Sequence, residues 1–101
     1  VKPELQGIKD RIRVMADMYA KAVETVGKVE DQAYGDFMAR RLVEMAGVTV
    51  MSCLLMLDAQ RNDSFRRSAE VYLNLAQAEV TKHAEFINTF DPEKVAEYKV
   101  M

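Results

Sequence analysis

The chain has 101 residues, of which 50% are hydrophobic and 30% are charged, a composition typical of one globular domain with a single core. Lysine and arginine contribute 14 residues and aspartate and glutamate 16, for a formal net charge of −2. The arginine pairs Arg40-Arg41 and Arg66-Arg67 each have a glutamate one helical turn away, so no continuous phosphate-binding surface is expected. The charge pattern therefore argues against nucleic-acid binding.

Cys53 is the only cysteine, which excludes an internal disulfide, and it lies in the apolar run from Val48 to Leu57. Because His83 is the only histidine, Cys53 is interpreted as a core residue of a reducing compartment rather than a nucleophile. The apolar run is shorter than the roughly 20 residues that cross a bilayer, and no signal-peptide pattern precedes it. We therefore expect a cytoplasmic protein without membrane insertion. The first residue, Val1, is not an initiator Met, which suggests a piece of a longer chain.

The first predicted helix, residues 4–29, has apolar or partly apolar side chains at alternating steps of three and four residues, which form one stripe along the helix. The stripe consists of Leu5, Ile8, Ile12, Met15, Tyr19, Ala22, Val26 and Val29. Pro3 suits the first turn, where its missing N–H costs nothing. Charges of both signs occupy the opposite face, which favours packing against partner helices over binding to a membrane surface.

The second predicted helix covers residues 32–60, with Asp31 as its N-terminal cap. The stripe of its first half consists of Tyr34, Phe37, Met38, Leu42 and Met45. From Val48 to Leu57, apolar residues occupy every face, and the Thr49 and Ser52 hydroxyls are expected to bond to carbonyls one turn earlier. This half of the helix needs cover on several sides, which two neighbouring helices do not easily provide.

The third predicted helix covers residues 64–89, and Asp63 or Ser64 is its predicted cap. Its stripe consists of Phe65, Ala69, Tyr72, Ala76, Val80, His83, Ile87 and Phe90. The sequence Asp91-Pro92-Glu93 predicts a short final helix over residues 92–98. No run alternates with a period of two, so no strand is expected. Four glycines, scattered singly through the helical pattern, are interpreted as points of close packing.

These elements predict an all-α fold, an up-down-up antiparallel bundle of three long helices plus a short C-terminal helix, in a single domain over residues 1–101. The missing cover of the second helix is naturally a further helix, from upstream sequence, from the tail or from another copy. We predict a homodimer, which completes the bundle to four or more helices. The candidate packing and interface residues are Met45, Val48, Met51, Ser52, Leu55, Met56, Tyr72 and His83.

A search for reactive groups assigns no catalytic, cofactor-binding or metal-binding residue. Glu79 and His83 lie one turn apart, but a di-iron bundle requires two Glu-x-x-His pairs, and a second histidine is lacking. The favoured interpretation is a contact between Glu79 and His83 within the helix, or a hydrogen bond of His83 at an interface. No motif links Cys53 or a serine to His83 as a base, and no glycine-rich phosphate loop occurs.

Four stretches of the second and third helices carry a recognisable packing pattern. They are Phe37–Gly47 (FMARRLVEMAG), Leu54–Asp63 (LLMLDAQRND), Phe65–Tyr72 (FRRSAEVY) and Ala78–Ile87 (AEVTKHAEFI). Together they resemble the C-terminal helical extension of bacterial acyl-CoA dehydrogenases, over about residues 34–90. The resemblance rests on helix-packing patterns rather than on catalytic motifs.

The resemblance implies a parent enzyme that uses FAD to remove hydrogens from the α and β carbons of an acyl-CoA thioester and passes electrons to an electron-transfer flavoprotein. None of the family's base, flavin-binding or CoA-binding motifs matches a position here, so no catalytic residue is carried over and no cofactor is expected in this fragment. The implied role is accessory: packing on the upstream dehydrogenase core, assisting subunit assembly, or shaping the acyl or CoA channel. The alternative is a free-standing helical protein–protein interaction module, for which the stripes alone would serve equally well.

Overall fold

The computed structural model describes residues 2–91, which contain three long helices and no strand. The helices are α1 (Gln6–Gly27), α2 (Gln32–Arg61) and α3 (Arg66–Thr89), and short 3-10 turns precede α1 (Pro3–Leu5) and α3 (Asp63–Phe65). Each helix packs against the other two, and the short connections make consecutive helices antiparallel. The predicted all-α bundle is confirmed. The predicted helix over residues 92–98 lies outside the described residues.

The two connections between the long helices are each closed by one side chain that accepts backbone hydrogen bonds. Asp31 Oδ1 accepts from the backbone N–H groups of Ala33 at 2.9 Å and Tyr34 at 3.3 Å, which confirms Asp31 as the cap of α2. Before α3 the cap is Asn62, whose Oδ1 accepts from Ser64 N at 3.0 Å. The prediction of Asp63 or Ser64 as cap is wrong, because both residues already belong to the 3-10 turn, whereas Asn62 has the extended backbone of a cap.

The core of the bundle follows the predicted stripe closely in α1 and less closely in α3. In α1 the buried residues are Ile8, Ile12, Met15, Ala22 and Val26, all on that stripe. In α3 the core line includes Leu73 and Ala84, which the predicted stripe omitted. Phe65, which it included, is 47% exposed, because it lies in the 3-10 turn, where the helical period of α3 does not yet apply.

One side of α2 faces the core along its whole length. The buried residues on this side are Tyr34, Met38, Met45, Ser52, Met56 and Ala59. The predicted hydroxyl bonds are confirmed, since Thr49 Oγ1 donates to Met45 O at 2.7 Å and Ser52 Oγ donates to Val48 O at 2.8 Å. Ser52 can therefore lie in the core without an unpaired hydroxyl.

The four glycines do not mark close contacts between helices. A Cβ atom added at Gly7, Gly27, Gly35 or Gly47 would meet nothing within 4 Å. Their interpretation as close-packing points is wrong for this bundle, because the core contacts are made by larger side chains on other faces.

Candidate functional site

The side of α2 that faces away from the bundle is apolar and open to solvent. We call it the outer face, and it consists of Val43, Gly47, Val50, Met51, Leu54 and Leu57. Val43 is 70% exposed, Val50 57% and Leu54 51%. None of the six residues carries a charge, and together they present on the order of 400 Å² of apolar surface, a size at which such patches commonly mark interaction sites.

The outer face arises because α2 carries two apolar lines on nearly opposite sides. Val43, Gly47, Val50, Leu54 and Leu57 follow one another at steps of four and three residues, the same spacing as the buried line. Val50 is two residues from buried Ser52, which places the two side chains about 200° apart around the helix axis. The bundle therefore covers one apolar line and leaves the other uncovered.

The predicted interface residues lie on the core side of α2, on its outer face and at the contact between α2 and α3. Met45, Ser52, Met56 and His83 are buried inside the bundle, where they pack against neighbouring helices. Val48, Leu55 and Tyr72 are half-buried, and Met51 is 44% exposed on the outer face. Their role in an interface with a second copy of the chain remains a prediction.

Sequence reasoning missed Val43, Val50, Leu54 and Leu57 as one continuous surface. The signal was available, because their spacing marks a second helical stripe. It was hidden because the whole run from Val48 to Leu57 is apolar. By length and composition, α2 is also the one helix within residues 2–91 that could cross a membrane, which the ten-residue run did not indicate.

A polar cluster connects α2 to α3 through the only histidine of the chain. The ring nitrogen Nε2 of His83 lies 3.6 Å from Glu79 Oε2, the contact expected within α3. Glu44 of α2 comes closer, with its Oε2 at 2.8 Å from the same nitrogen. Sequence reasoning missed Glu44, because no spacing within one helix reveals which residue of another helix lies opposite.

Cations surround the two glutamates of this cluster. Arg40 Nε is 3.2 Å from Glu44 Oε1, and its hydrogen bond holds the pKa of the Glu44 carboxyl below its usual value, although partial burial acts in the opposite direction. Lys82 Nζ is 3.1 Å from Glu79 Oε2. The ligand atoms of Glu44, Glu79 and His83 all lie within 4.8 Å of one another, so these three side chains could hold a metal ion.

The cluster borders a cleft of about 430 Å³ that is partly open to solvent. Arg41 forms one wall, with its guanidinium carbon 4.1 Å from the centre of the Phe86 ring and 5.0 Å from that of Phe37. Its Nη1 donates to the backbone carbonyl of Phe37 at 3.3 Å. Aromatic stacking therefore fixes Arg41, while its remaining N–H groups can reach the cleft.

The all-α bundle and its uncharged outer face define a helical packing domain. Residues 1–95 match the family described as Acyl-CoA dehydrogenase C terminal, and the chain belongs to that family. A solved structure, the acyl-CoA dehydrogenase family protein from Porphyromonas gingivalis, is similar over 91% of this chain and 79% of that chain, with 47% sequence identity and a TM-score of 0.86. No curated protein matches the chain.

These comparisons confirm the resemblance stated from the helical stretches. The chain is a C-terminal domain of the acyl-CoA dehydrogenase family, and its role is that of an accessory domain. For the parent enzyme, the family implies FAD as cofactor.

Proposed function

We propose that this domain holds two subunits of an FAD-dependent acyl-CoA dehydrogenase together, with the outer face of α2 packed against a second copy of the chain. The observation that carries this proposal is the uncharged apolar line formed by Val43, Val50, Leu54 and Leu57 on the side of α2 opposite the core. A stripe with steps of three and four residues matches the seam along which helices pack side by side. A second α2 is therefore a suitable occupant.

Two identical faces that meet across a twofold axis supply both halves of the interface. The outer face is smaller than the roughly 800 Å² per partner of a standard stable interface, so side chains that flank it must contribute as well. We expect a dissociation constant in the micromolar range for the isolated chain. The resulting dimer contains four or more packed helices, as the sequence analysis predicts.

A protein partner covers this face better than a bilayer does. The opposite side of α2 contributes Met38, Met45 and Met56 to the core, and all three would leave the bundle if the helix crossed a membrane. Such a helix would also carry Glu44 away from His83 and towards hydrocarbon, where a charged side chain is unfavourable. We propose a cytoplasmic location, in which the free thiol of Cys53 stays reduced.

The activity of the parent protein follows from the family as a proposal. The parent would remove hydrogens from the α and β carbons of an acyl-CoA thioester with FAD and would pass the electrons to an electron-transfer flavoprotein. The flavin and the catalytic base would belong to the dehydrogenase core upstream of this domain. The domain would pack on that core and join it to the core of a second subunit.

Expression of the complete gene product tests both parts of the proposal. We expect a yellow protein whose flavin absorbance is bleached by an acyl-CoA substrate, and whose subunits dissociate when Leu54 is replaced by glutamate while the flavin stays bound. A colourless product, or an unrelated upstream sequence, would overturn the enzyme assignment and favour a free-standing interaction module. A yellow protein whose assembly is unchanged by the substitution would overturn the role of the outer face.

A further inference from the structure

The histidine between α2 and α3 is buried in an unusual electrostatic environment. The side chain of His83 is 8% exposed, and its Nε2 has no solvent-accessible surface and no partner in hydrogen-bond geometry within residues 2–91. The 2.8 Å approach of Glu44 Oε2 therefore lies off the direction in which the ring could donate. A buried ring nitrogen that faces two carboxylates without a hydrogen bond leaves a place for one cation that all three groups can bind.

The three groups have the spacing of ligands around one small cation. In a tetrahedral zinc site the bonds to nitrogen and oxygen are about 2.0–2.2 Å, which places neighbouring ligand atoms roughly 3.3 Å apart. Here Nε2 of His83 is 2.8 Å from Glu44 Oε2 and 3.6 Å from Glu79 Oε2, values that bracket this separation. One nitrogen and two carboxylate oxygens leave a fourth position open for water, and two of the three ligands, Glu44 and His83, line the cleft described above.

Of the three neighbouring cations, one supports this ligand set, one does not bind it and one competes with it. Arg40 holds Oε1 of Glu44, the oxygen that does not face His83, as an outer-shell partner orients a ligating carboxylate. Arg41 is held by Phe37 and Phe86 and, within residues 2–91, makes no hydrogen bond or ion pair to either glutamate, so its charge is kept on the aromatic rings. Lys82 shares Oε2 of Glu79, but its side chain is 63% exposed and can turn into solvent.

We propose that Glu44, Glu79 and His83 bind one divalent transition-metal ion, with Zn²⁺ preferred, and that this ion fastens α2 to α3. The imidazole ligand favours Zn²⁺ over Mg²⁺ and Ca²⁺, which prefer sites built from oxygen alone. Competition from Lys82 sets the affinity in the micromolar range rather than the much tighter range of closed structural sites. The site does not depend on the assembly role of the outer face.

Calorimetric titration of chelator-treated protein with Zn²⁺ at neutral pH tests the site. We expect one ion per chain for the wild type, and at least about tenfold weaker binding for Glu79→Gln, since even outer-shell partners contribute that much. His83→Gln should abolish binding. The matched control is Glu85→Gln, an exposed glutamate of α3 outside the cluster, which should bind Zn²⁺ like the wild type.

Two results would overturn the proposal. One is a wild type that binds Zn²⁺ no more tightly than the millimolar range, which would show that the three side chains do not form a metal site. The other is equal affinity of the Glu79→Gln and Glu85→Gln variants, which would show adventitious surface binding. If circular dichroism shows that His83→Gln does not fold, the comparison of Glu79→Gln with Glu85→Gln tests the site by itself. These two variants should fold, because both glutamates keep part of their surface in solvent. Co²⁺ adds an independent readout, because a tetrahedral site gives visible absorption that Glu79→Gln should weaken.

Discussion

Replacement of Leu54 by glutamine removes one apolar side chain from the centre of the outer face. Leu54 is 51% exposed in the single chain, and covering that surface, on the order of 90 Å², contributes about 2 kcal/mol at 25 cal/mol per Å². A twofold interface contains Leu54 twice, so the loss is about 4 kcal/mol, which weakens the dimer up to about 1,000-fold. Glutamine keeps an apolar stem, so we expect a weakening between about 100-fold and that limit.

Sedimentation velocity across the micromolar range measures this effect. The wild type should shift from monomer to dimer as its concentration rises through this range, and the Leu54→Gln variant should remain a monomer. The helix content by circular dichroism should not change, because Leu54 lies outside the core and glutamine forms helices nearly as well as leucine.

Val14→Gln provides the matched control. Val14 is 50% exposed on α1, close to the value for Leu54, but it does not belong to the outer face of α2. Its replacement should leave the dimer intact. A wild type that stays monomeric throughout the micromolar range, or equal dissociation of both variants, would refute the role assigned to the outer face.

Three further predictions concern the bundle itself. Leu73→Ala should lower the free energy of unfolding in urea by about 2–5 kcal/mol, because Leu73 is fully buried. Leu75 is 60% exposed, so Leu75→Ala should change this free energy by less than about 0.5 kcal/mol. Equal losses in the two variants would contradict the burial assigned to the two leucines. Gly35→Ala should raise the free energy of unfolding by about 0.5–1 kcal/mol, because the added methyl meets open space in a helix, and a lower thermal midpoint would disprove this. Because Arg40 lowers the pKa of Glu44, the ionised carboxylate stabilises the fold above its ordinary pKa of 4.5 and this contribution is lost as the pH falls through the lower folded value. Below pH 4.5, the urea midpoint of the Glu44→Gln variant should therefore fall less steeply with falling pH than that of the wild type. Parallel curves would count against the pairing of Glu44 with Arg40.

The helices were predictable from the sequence because their signals are local. The stripe of α1 follows a period of 3.6 residues without interruption, and five of its residues form the buried line of that helix. The cap at Asp31 was predictable for the same reason, since its oxygen bonds only to backbone two and three residues away. The position of Phe65 was not, because a 3-10 turn shifts the phase before α3 begins.

The orientation of α2 could not be predicted from its own residues. Because Val50 and Ser52 both lie in one apolar run, periodicity does not decide which of them faces the core. The contacts of α2 with α1 and α3 determine which residue is buried. The polar hydroxyl of Ser52 faces inward because its own helix satisfies it. The outer face is the consequence of that orientation.

The pairing of His83 with Glu44 also lay beyond the sequence. The two residues are on different helices, and their contact depends on how far α3 is shifted along α2. The partner within α3, Glu79, could be predicted because residues four apart are neighbours on a helix. Only the combination of both contacts produces a group of three potential ligands.

Isotope-filtered NOE spectroscopy on a mixture of labelled and unlabelled chains tests directly which surface joins two copies. The account predicts intermolecular NOEs from the methyl groups of Val50, Leu54 and Leu57, and none from Val14 or Val23, which are similarly exposed on α1. A dimer whose intermolecular NOEs arise from the α1 methyl groups, or a sample with no intermolecular NOE, would contradict assembly through the outer face of α2.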